Sequence, residues 1–174
     1  GDPTRPLVIV RPQGEAFEVF VYSPDRDGLF ATLTATLDRL GFSVAAARIV
    51  TSTSGMSLDT FQLLPIHDGN EPPQARAEHA SRVLAEMLSR PASALHPSRR
   101  AMPAALKHFR VAPRVEVRDM GDGSRTQLVL IGTDRPGLLA DIARTLRELR
   151  LRVHDARIAT FGERAEDLFL ISDE

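Results

Sequence analysis

SPDRDGLFATLTATL, residues 23–37, and TDRPGLLADIARTL, residues 133–146, are the two stretches that decide the fold. Each ends a run of apolar residues, turns on Asp-x-x-Gly and enters apolar residues at helical spacing. Setting Asp25 on Asp134 also sets Arg26 on Arg135, Gly28 on Gly137 and Leu29 on Leu138. The register holds through Ala31 with Ala140, Leu33 with Ile142, Leu37 with Leu146, Leu40 with Leu149 and Val44 with Val153. It continues as AARI (46–49) against DARI (155–158) and Thr51 against Thr160. One residue drops out of the next turn, after which Asp59 meets Asp167 and Phe61 meets Phe169. Agreement of this length in one register means two copies of one unit.

Each copy reads the same way. FEVFVY (17–22) and TQLVLIG (126–132) have the β-branched and aromatic content of strands. Leu29, Leu33, Leu37 and Leu40, and likewise Leu138, Ile142, Leu146 and Leu149, predict one apolar stripe on each following helix. GFSV (41–44) ends the first helix with a glycine signal that RLRV lacks in the second copy. Two strands joined by a tight turn follow: 43–52 and 57–64 around Ser54-Gly55, then 152–160 and 165–171 around Gly162-Glu163. The first copy continues after GNEPP (69–73) into a helix marked by Ala77, Ala80, Val83, Leu84, Met87 and Leu88. A Pro/Ser/Ala/Arg connector (91–106) leads to HFRVAPRVEV (108–117), which alternates like a strand, with Pro113 marking an edge or a bulge.

The expected class is therefore α+β: two ferredoxin-like βαββαβ units, antiparallel sheets with helices on one face, the second unit truncated after its third strand. The expected boundaries are an N-terminal arm (1–15), a first domain (16–118) and a second (124–174). PLVIV (6–10) has no place in the first unit's pattern. It either joins the second unit's sheet as a surrogate last strand or is a frayed arm.

Bulk properties narrow the function. A chain of 174 residues with 43% hydrophobic and 26% charged content is that of a globular protein. A net charge of -1 removes the basic stripe that nucleic acid requires, and no Trp with a single Tyr removes stacking platforms. No cysteine is present, so disulfides, thiolate catalysis and Cys-ligated zinc are excluded, in keeping with a cytoplasmic location. No apolar run has the length of a membrane span and no signal peptide is read, so no membrane partner is expected.

The repeated turn has its own chemistry. A helix starting directly after a strand presents unpaired N–H groups and the positive end of its dipole, which suits a small carboxylate. Gly28 and Gly137 remove the Cβ that would block the approach. Pro136 suits a first helical position. Asp25 and Asp134 would either accept from an ammonium group or cap the helix, and these readings stay open together.

A unit whose first turn reads Asp-x-x-Gly-Leu resembles the ACT domain, a regulatory module that commonly binds amino acids. YSPDRDGLFA and DARIATFGERAEDLF, bridged by LKHFRV, are similar to the carboxy-terminal tandem ACT region of the bacterial PII uridylyltransferase/uridylyl-removing enzymes, over about residues 6–174. TSTSGMSLDTF (51–61) and GERAEDLF (162–169) are the most specific stretches.

The resemblance implies a glutamine sensor that controls nitrogen metabolism. It implies L-glutamine as effector, upstream catalytic domains in the same chain, the PII protein as a partner of the whole enzyme, and a homodimer as an allowed assembly. It implies no catalytic residue, metal or cofactor in this fragment; Mg²⁺ would belong to the missing catalytic domains. A ligand-free dimerisation or docking module is the alternative.

The candidate effector residues are Asp25, Arg26, Asp27, Gly28 and Leu29 at the first turn. At the second they are Asp134, Arg135, Pro136, Gly137, Leu138 and Leu139, with His154 either an ordinary strand histidine or, if it faces the site, a reader of the side-chain amide. Asp27 stands where the family pattern has Pro, so the second turn is the better site. Asp25-Arg26-Asp27, Gly123-Ser124 and His67-Asp68 spell fragments of metal motifs without the companions those motifs need. Arg48 and Arg157 read as structural.

Overall fold

A strand that reaches a glycine-gated turn hands its chain to a helix, and both repeats do so. A computed structural model describes residues 5–67, 69–90, 111–121 and 123–173. The first half holds β1 (Leu7–Gln13), β2 (Ala16–Pro24), α1 (Leu29–Arg39), β3 (Phe42–Thr51), β4 (Met56–Pro65) and α2 (Pro73–Leu88). The second holds β5 (Arg114–Asp119), β6 (Thr126–Thr133), α3 (Leu138–Glu148), β7 (Leu151–Phe161) and β8 (Arg164–Asp173).

Gly28 (φ 74°) and Gly137 (φ 77°) precede their helices in the left-handed region, which a side chain disfavours. Each turn is closed by backbone alone. Leu29 N–H donates to Arg26 O and Leu138 N–H to Arg135 O, both at 3.1 Å, and no side chain caps either helix. Asp25 and Asp134 are thereby left for other partners.

All strands join one antiparallel sheet in the order β1-β2-β4-β3-β7-β8-β6-β5. The order is symmetric about the β3–β7 seam. There Ala47 faces Ile158, Arg48 faces Arg157 and Ile49 faces Ala156. Equivalent residues of the two repeats lie opposite each other, so a pseudo-twofold axis passes between Arg48 and Arg157. Arg48 also reaches Asp155 at 3.4 Å, which offsets the like-charge pairing.

The α+β class and the helices on one face are as expected, but the edge strands are exchanged. PLVIV does not join the second unit's half of the sheet: its Leu7–Val10 begin β1, which pairs with β2 from Leu7 opposite Tyr22 to Gln13 opposite Ala16. The strand expected to close the first unit begins later, at Arg114, and pairs with β6 of the second. Its predicted start (108–110) and the connector 91–106 lie outside the described residues. A two-residue turn at Gly14 makes β1 and β2 a local hairpin, and a hairpin closes at far less entropic cost than a long crossover.

The helices cover the sheet unevenly. α1 buries Leu29, Phe30, Leu33 and Leu37, while α2 lies on β1 and donates from Ser81 to Val8 O at 3.3 Å. α3 buries Leu139, Ala140, Ala143 and Leu146; of the predicted stripe Leu146 is buried and Ile142 packs against the core, but Leu149 is exposed. The alanines let α3 approach α1, which rotates its buried face away from Leu138 and Leu149. Val8 and Val10 lie under α2, but their counterparts Val115 and Val117 on β5 are 63% and 67% exposed.

Phe30 of α1 and Phe169 of β8 meet edge to face across the two repeats at 5.9 Å. Phe169→Ala is expected to lower stability by ~3–5 kcal/mol in urea unfolding, because its site is fully buried. Val117→Ala, on the open face, is expected to change it by less than ~1 kcal/mol.

Candidate functional site

The pseudo-twofold axis places each Asp-x-x-Gly turn beside the end of the other repeat's helix and the start of its next strand. Two related cavities of similar size result. The first is bounded by the first turn, by Ser57 and Asp59 of β4, and by Arg147 and Arg152 from the second repeat. The second is bounded by the second turn, by Ala165 and Asp167 of β8, and by Asp38 and Ser43 from the first repeat. Each cavity therefore sets a helix start from one repeat against residues of the other.

The shared feature is a pair of carboxyls under each turn. Asp59 and Asp167 point inward with Phe61 and Phe169, two residues along the same strands, and are 1% and 3% exposed. Asp59 lies near Asp25, and Asp167 near Asp134.

The surroundings of the two pairs differ at three equivalent positions. Asp25 is bridged by Arg152, Nη2 to Oδ2 at 2.5 Å, where the second cavity has Ser43. Asp59 Oδ1 accepts from Ser57 Oγ at 2.5 Å, where the second cavity has Ala165. Arg147 stands where the second cavity has Asp38, so close that any side chain on Gly28 would meet its guanidinium at 2.9 Å. Asp167 Oδ1 is buried without a hydrogen-bond partner among the described residues.

The predicted residues divide accordingly. Asp25, Arg26, Asp27, Gly28 and Leu29 line the first cavity, and Asp134, Arg135, Gly137, Leu138 and Leu139 the second; Pro136 lines neither. Arg26 donates to Arg90 O at 2.8 Å, and Arg135 pairs with Asp141 of α3 at 2.6 Å. Leu138 N–H is engaged with Arg135 O, so the helix-start donors facing the second cavity are those of Leu139 and Ala140.

His154 lines neither cavity. It occupies a β-bulge between Val153 and Asp155, matched by one at Ala45 in β3, and its Nε2 lies 2.7 Å from Ser172 Oγ. A bulge adds a residue out of register, so alternation does not predict its direction. Burial, then Arg125 and Arg152, lowers the His154 pKa.

Asp59 and Asp167 escaped the motif reading because their neighbours are strand residues. The available signal was an acidic residue at an inward position of an alternating strand. Among the described residues, no three of His, Cys, Asp and Glu come together as metal ligands. No helix there is long and apolar enough to cross a membrane.

Burial holds the Asp167 carboxyl up at about 7, and the Asp134 charge adds to this. Burial likewise raises Asp134. Asp59 is also raised to about 7 by burial, with Ser57 working against the shift and Asp25 with it. A carboxyl raised by folding contributes stability below its unfolded pKa and loses that contribution as pH rises through the folded value. Asp167→Asn is therefore expected to stabilise the fold at pH 8, on the order of 1 kcal/mol or more, and to lose that advantage towards pH 4. Thermal unfolding of the variant and the parent at both pH values checks the sign.

The family model for the ACT domain matches residues 126–168, which span β6, α3, β7 and the first half of β8. The bifunctional uridylyltransferase/uridylyl-removing enzyme of Xanthomonas oryzae pv. oryzae is 53% identical over 166 residues, covering 94% of this chain and 18% of that protein. The protein of the same description from Vibrio campbellii is 39% identical over 180 residues, covering 99% of this chain and 20% of its own length. The chain thus spans about a fifth of the length of the curated relatives it matches. An aspartate kinase from Synechocystis shares the fold, with a TM-score of 0.51 at 18% identity, over 93% of this chain and 24% of that one. The chain belongs to the ACT-domain regulatory regions of the bifunctional uridylyltransferase/uridylyl-removing enzyme family.

Proposed function

We propose that the chain is the amino-acid-sensing part of a uridylyltransferase/uridylyl-removing enzyme, that its effector is L-glutamine, and that the seat is the second cavity. The observation that carries this is the buried, unpartnered Asp167 Oδ1 beneath the Gly137 turn. A buried carboxyl oxygen without a donor is costly, and a ligand ammonium supplies one. Asp134 stands beside it as a second acceptor.

The remaining walls fit the rest of the molecule. The α3 start offers Leu139 and Ala140 N–H groups and a positive dipole end to the α-carboxylate. Across the seam, Asp38 and Ser43 face the side chain. An amide donates to the Asp38 carboxyl, whereas the carboxylate of glutamate has no proton to offer it.

A ligand held this way touches both repeats, so binding alters how they pack. Ten- to hundredfold preference for one packing needs only about 1.4–2.7 kcal/mol. Through the whole enzyme, that shift would set the balance between adding a uridylyl group to the PII protein and removing it, in answer to nitrogen supply. Metal ions and nucleotides belong, in this reading, to the catalytic domains. A ligand-free docking module is the second reading, favoured by the exposed Val115 and Val117.

Calorimetry with L-glutamine, L-glutamate and L-asparagine tests the proposal. Glutamine is expected to bind at least tenfold tighter than the other two, and equal heats, or none, would defeat it. Asp167→Asn is expected to weaken glutamine binding at least tenfold while the fold gains stability. Since the ionised carboxyl accepts from the ammonium, affinity is expected to rise between pH 6 and pH 8 as Asp167 loses its proton.

A further inference from the structure

The two cavities hold the same pair of carboxyls and are similar in size, yet among the described residues only the first pair is bridged by a guanidinium from the other repeat. In the first cavity Arg152, reaching from the start of β7 in the second repeat, lies on Asp25 at 2.5 Å. Asp25 is the counterpart of Asp134. The second carboxyl of that pair, Asp59, takes its hydrogen bond from Ser57. In the second cavity Ser43 is too short to play the part of Arg152, and Ala165 has no hydroxyl to play that of Ser57.

We infer that Arg152 is a built-in substitute for the effector's ammonium group, so that the chain takes one amino acid, at the second turn, and would take two if Arg152 were removed. The inference rests on the amino-acid reading above. The two cavities are similar in size, so space does not distinguish them. The barrier is that the charge an amino acid would satisfy is already satisfied. The side chain of Asp25 is 7% exposed, and its partner guanidinium is covalently present at every ligand concentration. An incoming ammonium must displace an interaction that is intramolecular, and a dilute ligand competes poorly with a tethered one.

The arrangement also has a mechanical consequence. The Arg152–Asp25 bridge ties the start of β7 to the first turn, so that side of the seam is held in every state. The other side, where Asp134 and Asp167 face Asp38 and Ser43, is left for the ligand to draw together. One fixed side and one ligand-dependent side convert binding into rotation of one repeat against the other.

Calorimetric stoichiometry with L-glutamine tests this on the chain and three variants. The parent is expected to bind one glutamine, R152S two, and R152K one, because the lysine keeps a cation at Asp25. R152S combined with Asp134→Asn is expected to keep one, now at the first turn. Cooperative thermal unfolding of each variant certifies that it is folded. Two glutamines on the parent, or one on the parent and still one on folded R152S, would overturn the inference. No binding by the parent but one glutamine on R152S would sustain the role of Arg152 and refute the second-turn seat. No binding by either would refute both.

Discussion

The antiparallel pairing of β3 with β7 is the interaction on which the rest of the molecule depends. Equivalent strands from two copies of one unit can pair antiparallel about a twofold only if a residue lies opposite its own counterpart, as Arg48 does with Arg157. That single register fuses two four-stranded halves into one eight-stranded sheet. It also brings α1 beside α3 and carries each Asp-x-x-Gly turn to the far end of the other repeat. Neither cavity exists within one unit. Shifting the seam by one residue would turn Ala47, Ile49, Ala156 and Ile158 from the core to the open face, and burial of those side chains holds the register.

Duplication made two sites of the same shape, and substitution made them unlike. Burying two carboxyls under each turn is expensive unless something supplies protons or charge. On one side the chain supplies both, with a guanidinium from across the seam and a serine hydroxyl two residues away. On the other no guanidinium crosses the seam and Ala165 has no hydroxyl, and Asp167 Oδ1 is left without a hydrogen-bond partner among the described residues. The unpartnered oxygen at one of two equivalent positions is the difference on which the proposed seat rests.

The edge strands and the helix faces show where pattern reasoning reaches its limit. β1 and β5 were legible as strands, because alternation and β-branched content are local. Their partners were not, since either edge accepts an antiparallel neighbour and a hairpin of a few residues wins by loop entropy. In α3 the leucines suggested one stripe, but the alanines at 140 and 143 face the core. Close approach to α1 rewards small side chains, and that reward is invisible until the partner helix is placed. His154 failed for a related reason, since a bulge breaks the alternation that would have predicted its direction.

The amino-acid sequence by itself determined the repeat, the α+β class, the two glycine-gated turns and the kinship with ACT regions, all of which are matters of local spacing and residue type. Tertiary structure alone decided which strands meet, which residues face each turn, and that the two turns differ. Ser43, Asp38, Arg147 and Arg152 lie about 90 or more positions from the turns they face, and no local pattern links them. Their proximity follows from the seam, a long-range pairing chosen by the total apolar surface it buries. The chemistry of the site therefore resides in contacts between repeats, while its framework resides within each.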